Sequence, residues 1–195
     1  MNNFESIKFS CLTFADNPFP HFCSTSILQK SIESKLFDWF EHTGEWNLTK
    51  TEFYEQYEFS FLNVMLPKDL QCLISQKTVA IIEKEFKNVF NAKSFELVGV
   101  TAHKLTNGQR IGVHNDFIQG EETHRLVIHI NPTWTDSNGG FLILFNSENS
   151  EDISKIIMPM NNSAFGFEIS NRSHHAVSKI YDFSRYSIVY TFKEG

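Results

Sequence analysis

Val113-His114-Asn115-Asp116-Phe117 places an imidazole and a carboxylate two residues apart at the end of RIGVHNDF, a run that reads as a β-strand. Alternate strand residues share a face, so His114 and Asp116 can offer one nitrogen and one oxygen to a single metal ion. Alone, H-x-D has little weight, since most such triplets are surface or structural. A second segment, SHHAVSKIYDFSRYSIVYTF, supplies another imidazole followed ten residues later by a guanidinium, His175 and Arg185. Two imidazoles and one carboxylate on one face of a metal leave three adjacent positions open, as non-haem iron needs to hold an oxidisable co-substrate beside dioxygen. Zinc more often takes a closed tetrahedral set.

These residues need a scaffold of strands. From Phe95 onward, short β-rich runs follow one another between turns: ELVGVTAHKL, the turn NGQ, RIGVHNDF, THRLVIHIN, FLILF, KIIMPM, SAFGFEI, HAVSKI and YSIVYTF. Their spacing predicts an all-β sandwich or barrel, most naturally a jelly-roll. Upstream, TSILQKSIESKLFDWFEH carries Leu28, Ile32, Leu36, Phe37 and Phe40 at helical spacing, with Ser24 or Thr25 as its N-cap. A second helix, broken once, is predicted after Pro67 through KDLQCLISQKTVAIIEKEFKNVF. Between them TEFYEQYEFSFLNVML alternates aromatic and polar residues as a half-buried strand does, the pattern carried by Phe53, Tyr57, Phe59 and Phe61. The expectation is an α+β fold, a double-stranded β-helix (jelly-roll) core with the N-terminal helices packed on one outer face. No repeat or linker divides the chain, so one domain is expected over 1–195, with 1–95 as helical and β support and 96–195 as the jelly-roll core carrying the metal site.

Composition narrows the function classes. The 195 residues are 41% hydrophobic and 21% charged, as in a globular protein, with a formal net charge of -6. No clustered basic stripe is present, which argues against nucleic acid as a partner. No stretch is apolar enough for a spanning helix, and MNNFESIKFSCLTF does not read as a secretory leader, so a cytoplasmic protein without membrane attachment is expected. Cys11, Cys23 and Cys72 form no C-x-x-C pair and read as ordinary buried thiols. Twenty Phe residues point to bulky core packing, with a flat pocket lining as the lesser use.

The segment from about Thr101 to Phe192 resembles the 2-oxoglutarate and Fe(II)-dependent oxygenase superfamily, in particular its prolyl 4-hydroxylase-like branch. The resemblance rests on NGQRIGVHND, on THRLVIHIN followed by Trp134, on Gly139-Gly140 leading into FLILF, on KIIMPMNNSAFGF and on HHAVSKIYDFSRYSIVYTF, in the family's order; DNPFPHF is a looser likeness. It implies a jelly-roll with Fe(II) on His114, Asp116 and His175, the last preferred over His174 by its offset from Arg185. Arg185 would pair the distal carboxylate of 2-oxoglutarate, for which its planar fork is suited, and Ser187 would share it. His129 stands where the family often has Tyr and would also meet 2-oxoglutarate, with a buried core histidine as the comparable alternative.

Asn115, Arg125, Trp134 and His174 are placed where a substrate would be met, although a surface role is the default for Asn115, Arg125 and Trp134 and a structural or solvent-exposed one for His174, as for His103 and His124. Gly139-Gly140 reads as a tight loop needing positive φ or close approach, not a phosphate cradle. The implied reaction uses dioxygen to hydroxylate an unactivated C–H bond of an amino-acid side chain, free or within a peptide or protein, releasing succinate and CO2. The carboxylate ligand Asp116 favours hydroxylation over halogenation. A desaturase or cyclase variant of the same chemistry, a non-catalytic jelly-roll ligand-binding module and a cupin-like metal protein are the alternatives.

Overall fold

The computed structural model describes residues 6–52 and 54–195. Phe53 and the beginning of MNNFESIKFSCLTF lie outside them. Strands β1 (Ser10–Ala15) and β2 (His21–Thr25) precede helix α1 (Lys30–His42); β3 (Asn47–Lys50) and β4 (Glu55–Ser60) precede a 3-10 turn (Gln71–Ile74) and helix α2 (Gln76–Phe90). Then come β5 (Phe95–Leu105), β6 (Ile111–His114), β7 (His124–His129), β8 (Leu142–Phe145), β9 (Ile153–Ile157), β10 (Ser163–Glu168), β11 (His175–Val177) and β12 (Arg185–Glu194). They form two antiparallel sheets, β1-β2-β10-β7-β12-β5-β4-β3 and β6-β11-β8-β9, the two layers of a double-stranded β-helix. The large sheet takes four of its eight strands, β1 to β4, from ahead of β5, so strand content is not confined to the second half.

Helix α1 starts later than its pattern predicts. Ser24 and Thr25 do not cap it; they belong to β2, which pairs on both sides with β1 and β10, and the Ser24 hydroxyl donates to the Ser10 carbonyl at 2.7 Å. Gln29, in extended conformation and without a side-chain cap, precedes the first helical residue. Two flanking strands satisfy the backbone of 21–25, which a helix start would leave with unpaired N–H groups. The second helical region is broken once, as predicted: the Ser75 side chain accepts the Thr78 N–H and restarts the chain as α2, which ends at Asn91 in the left-handed conformation.

Period-2 alternation makes the large sheet two-faced. Tyr186, Ile188, Tyr190 and Phe192 of β12, with Leu126 and Ile128 of β7, are buried in one cluster with Leu36 and Phe40 of α1 and Ile82 and Phe86 of α2. Both helices therefore pack on one outer face. Ten phenylalanines of the described residues lie in or against this cluster, with edge-to-face contacts such as Phe86 with Phe22, Phe95 and Phe192. Burying each such ring contributes about 1.5–3 kcal/mol relative to leaving it in water. Gly166 is fitted to this layer, since a Cβ there would lie 2.2 Å from the Phe22 ring. The opposite face, carrying Arg125, Val127, Phe165, Phe167, Arg185, Ser187 and Val189, turns towards the small sheet. The thiols depart from expectation: all three are free, Cys11 is exposed, and Cys23 and Cys72 are half-buried.

Candidate metal centre and its pocket

The small sheet brings the two halves of the metal cluster together. β6 and β11 run antiparallel with His114 directly opposite His175, and the two rings lie 4.2 Å apart between centroids. Asp116 follows the end of β6 at φ 59°, a left-handed turn that swings its carboxylate back towards both rings. Its Oδ1 lies 3.3 Å from His114 Nε2 and its Oδ2 3.3 Å from His175 Nε2. One donor atom from each residue falls within 4.8 Å of the others.

Both rings are oriented from behind. His114 Nδ1 is 2.9 Å from the Gly112 carbonyl and His175 Nδ1 is 2.7 Å from the Ser173 carbonyl. A carbonyl only accepts, so each Nδ1 carries the proton and each Nε2 lone pair faces the cluster, the tautomer a metal requires. Ser173 joins the halves, since its hydroxyl also lies 2.8 Å from the Asn115 carbonyl. Burial opposes ionisation of Asp116, but the two imidazoles facing it and the charge of Arg125 outweigh it and hold the carboxyl well below its usual range. Burial, then the neighbouring His114, lowers His175, favouring neutral imidazole. Two imidazoles and one carboxylate are the donor set of an open-sided iron(II) site.

The cluster opens into a cavity of about 360 Å³ between the sheets, lined by Arg185, Ser187, Phe165, Phe167 and the inward residues of β4 and β5. Arg185 is 5% exposed, its Nε has no partner, and among the described residues no carboxylate pairs with it. Burial lowers its pKa only to about 10, so it remains a cation at neutral pH. A buried unpaired cation is costly, and an anion entering the cavity would relieve that cost. Gly140 makes room for it: its φ is 71°, and a Cβ there would stand 3.0 Å from Arg185 Cδ and 2.7 Å from Ile180 Cδ1. The Gly139-Gly140 loop thus meets the sequence expectation of positive φ and close approach.

His129 does not line the cavity but sits behind Arg185, its Nδ1 3.4 Å from Nη2. Burial, reinforced by the Arg185 charge, pushes its pKa far down, so it is a neutral ring that accepts from the guanidinium. Arg125 is more central than its sequence suggests: Nη1 donates to Asp116 Oδ2 at 2.6 Å, and Nη2 pairs with Glu122. Asn115 and His174 line a more open depression with Phe117 and Glu148, and it also borders His114, Asp116 and Arg125 of the cluster. Trp134 lies apart from both, donating from Nε1 to the Gly139 carbonyl at 2.8 Å and so pinning the glycine loop. His124 is buried among Phe86, Phe90 and Phe95, a structural position.

Sequence reasoning missed Gln56 and Glu58. The aromatic members of the β4 alternation, Phe59 and Phe61, face the helices, whereas Gln56 and Glu58 face the cavity. The polar half of that alternation was the available signal.

A model of the 2OG-Fe(II) oxygenase superfamily matches residues 100–193, a span containing all three candidate ligands and Arg185. The second half of the chain is thus a domain of that superfamily. It is an oxygenase whose family cofactors are Fe(II) and 2-oxoglutarate, and the donor set fits the first. No curated protein sequence matches it. Among solved structures it is similar to a prolyl-4-hydroxylase from Pseudomonas putida, at TM-score 0.71 and 12% identity over 90% of this chain and 92% of that one. It is similar also to a Trichoplax adhaerens prolyl hydroxylase in complex with a hypoxia inducible factor peptide fragment, at TM-score 0.72 and 12% identity over 89% and 83% of the two chains. A viral collagen prolyl hydroxylase from Paramecium Bursaria Chlorella virus-1 gives TM-score 0.66 and 10% identity over 89% and 96%. At such identities the likeness establishes the fold. Among the described residues, no helix is long and apolar enough to cross a membrane.

Proposed function

We propose that the protein hydroxylates an unactivated C–H bond of an amino-acid side chain, free or within a peptide, with His114, Asp116 and His175 holding iron and Arg185 holding 2-oxoglutarate. The observation that carries this reading is the buried, carboxylate-free Arg185 directed into the cavity that also receives the three donor atoms. Bound Fe(II) and 2-oxoglutarate together supply the oxidising power, one atom of dioxygen going to the substrate and one to succinate as CO2 leaves. The protein's own part is placement. Arg185 offers a fork to the distal carboxylate, with the Ser187 hydroxyl two residues along the same strand face. His129 steadies the fork from behind without adding charge. Arg125 engages one oxygen of Asp116 and so limits how that carboxylate can turn. Phe165 and Phe167 give the cavity an apolar wall that keeps water from the reacting carbon. The solved prolyl hydroxylases of the same fold support a peptide or amino-acid substrate.

Anaerobic addition of Fe(II) and then 2-oxoglutarate should raise a weak visible charge-transfer band, and admission of air with a suitable substrate should release succinate. A wild-type protein that shows no band and does not bind 2-oxoglutarate would overturn the reading.

A further inference from the structure

Two inward residues of β4 take no part in the placement described above. Gln56 is 4% exposed, lines the cavity, and its Oε1 has no hydrogen-bond partner among the described residues. The amide cannot turn to hide that oxygen. Its Nε2 donates to Glu58 Oε2 at 2.8 Å, and a flipped amide would set oxygen against the carboxylate. A buried acceptor without a donor costs free energy until a donor arrives.

Glu58 adds charge to this acceptor. Among the described residues its hydrogen bonds come from neutral groups, the Gln56 amide and the Thr49 hydroxyl, the latter at 2.8 Å. Its cross-strand partner His103 lies 3.9 Å away, and that imidazole is neutral because burial drives its pKa to about 4. Nearby cations are committed elsewhere, Lys50 to Glu55 and Arg125 to Asp116 and Glu122. Among the described residues, no Lys or Arg forms an ion pair with Glu58. The cavity is thus cationic at Arg185 and rich in acceptors at β4, with the candidate ligands lining the same space.

We propose that the substrate carries a cation with N–H donors, an ammonium or a guanidinium, bound by Gln56 Oε1 and the Glu58 carboxylate; this rests on the oxygenase reading above. A basic amino acid, free or in a peptide, has such a group at the end of several unactivated methylenes. Anchoring its tip at β4 leaves the stem to reach towards the metal end of the cavity. The same subsite disfavours an anionic substrate, which would meet Glu58 without a counter-charge.

Protein loaded anaerobically with Fe(II) and 2-oxoglutarate is titrated with lysine and arginine, each free and at the centre of a capped glycine tripeptide. Each is set beside its uncharged isostere, norleucine or citrulline. Perturbation of the charge-transfer band reports binding, and succinate release in air reports turnover. The basic compounds should bind at least about tenfold more tightly than their isosteres, and Glu58→Gln should reduce that preference to under about threefold. Glu58→Asp keeps the charge and should retain the preference, and the band in each variant verifies its fold. Gln56→Met should weaken the basic compounds through loss of the acceptor, and of the amide donor to Glu58, with the Glu58 charge retained. Preference in the free or in the peptide series identifies the source of the cation, and either supports the proposal. Equal binding of cation and isostere, failure of every basic compound to perturb the band, or a preference that survives Glu58→Gln overturns it and leaves the oxygenase reading standing. Absence of the band in the wild type defeats both.

Discussion

Arg185 holds its charge where water scarcely reaches, and the shape of that charge matters as much as its sign. A lysine there would keep the cation but lose the planar fork, and its ammonium would be desolvated without two parallel donors to offer. Arg185→Lys should therefore weaken 2-oxoglutarate by about tenfold or more, while Fe(II) affinity stays within about twofold. The KM for 2-oxoglutarate and an anaerobic iron titration check the two halves of that statement. The neighbours His174 and His175 make a sharper contrast. His175 Nε2 faces Asp116, whereas the His174 ring lines the outer depression. His175→Ala should abolish iron binding and turnover, and His174→Ala should leave iron affinity nearly intact, both read by metal titration. The grouping of His114, Asp116 and His175 was legible in the sequence from the residue types together with the family resemblance. Gln56 and Glu58 were not, since a polar residue on a strand looks the same whether its face meets water or a cavity. His129 was legible as buried and inward-facing, but its place behind the guanidinium is set by register with Ser187 on β12.

At the scale of elements, the loop before β8 is coupled to the first residue of β12. Gly140 has a positive φ, and a methyl added there would press on Ile180 and the Arg185 stem. Gly140→Ala should cost about 1–3 kcal/mol by strain and overpacking, and should raise the KM for 2-oxoglutarate with it. Urea unfolding measures the first effect and succinate release the second. A polar relay meets the same strand from the other side: Glu33 of α1 accepts from Asn161, Asn161 accepts from the Asn131 N–H, and Asn131 accepts from the Tyr186 N–H. The eight strands predicted from Phe95 onward were legible because turn residues separate them. The start of α1 was not: apolar periodicity near Leu28 is compatible with a helix, and only pairing with distant β10 makes the preceding residues a strand. β1 and β3 escaped for a different reason: each is an edge strand paired only with the strand that follows it, and neither carries a buried residue to give it an apolar alternation.

For the molecule as a whole, the aromatic layer between helices and sheet also sets acid stability. His124 is buried against Phe86, Phe90 and Phe95, and burial lowers its pKa from 6.5 to about 4. Between those values the unfolded chain binds a proton that the folded protein refuses, so stability falls as pH falls through the window and is unaffected above it. His124→Phe should reduce the stability lost between pH 7 and pH 4 by about 2 kcal/mol, read as the difference between urea unfolding free energies at the two pH values. Some loss persists, because burial depresses His103 and His129 in the same direction. The facing pair His114 and His175 has a different consequence. All of β7 to β10 lies between them along the chain, so His114 and Asp116 are neighbours in any conformation while His175 arrives only when the small sheet has closed. An open chain offers a metal two ligands and the closed chain three. The ion would therefore work as a clasp on one non-local seam of the topology: whatever holds it would also postpone the parting of β6 from β11, and a chain emptied of iron would lose that hold on the two strands.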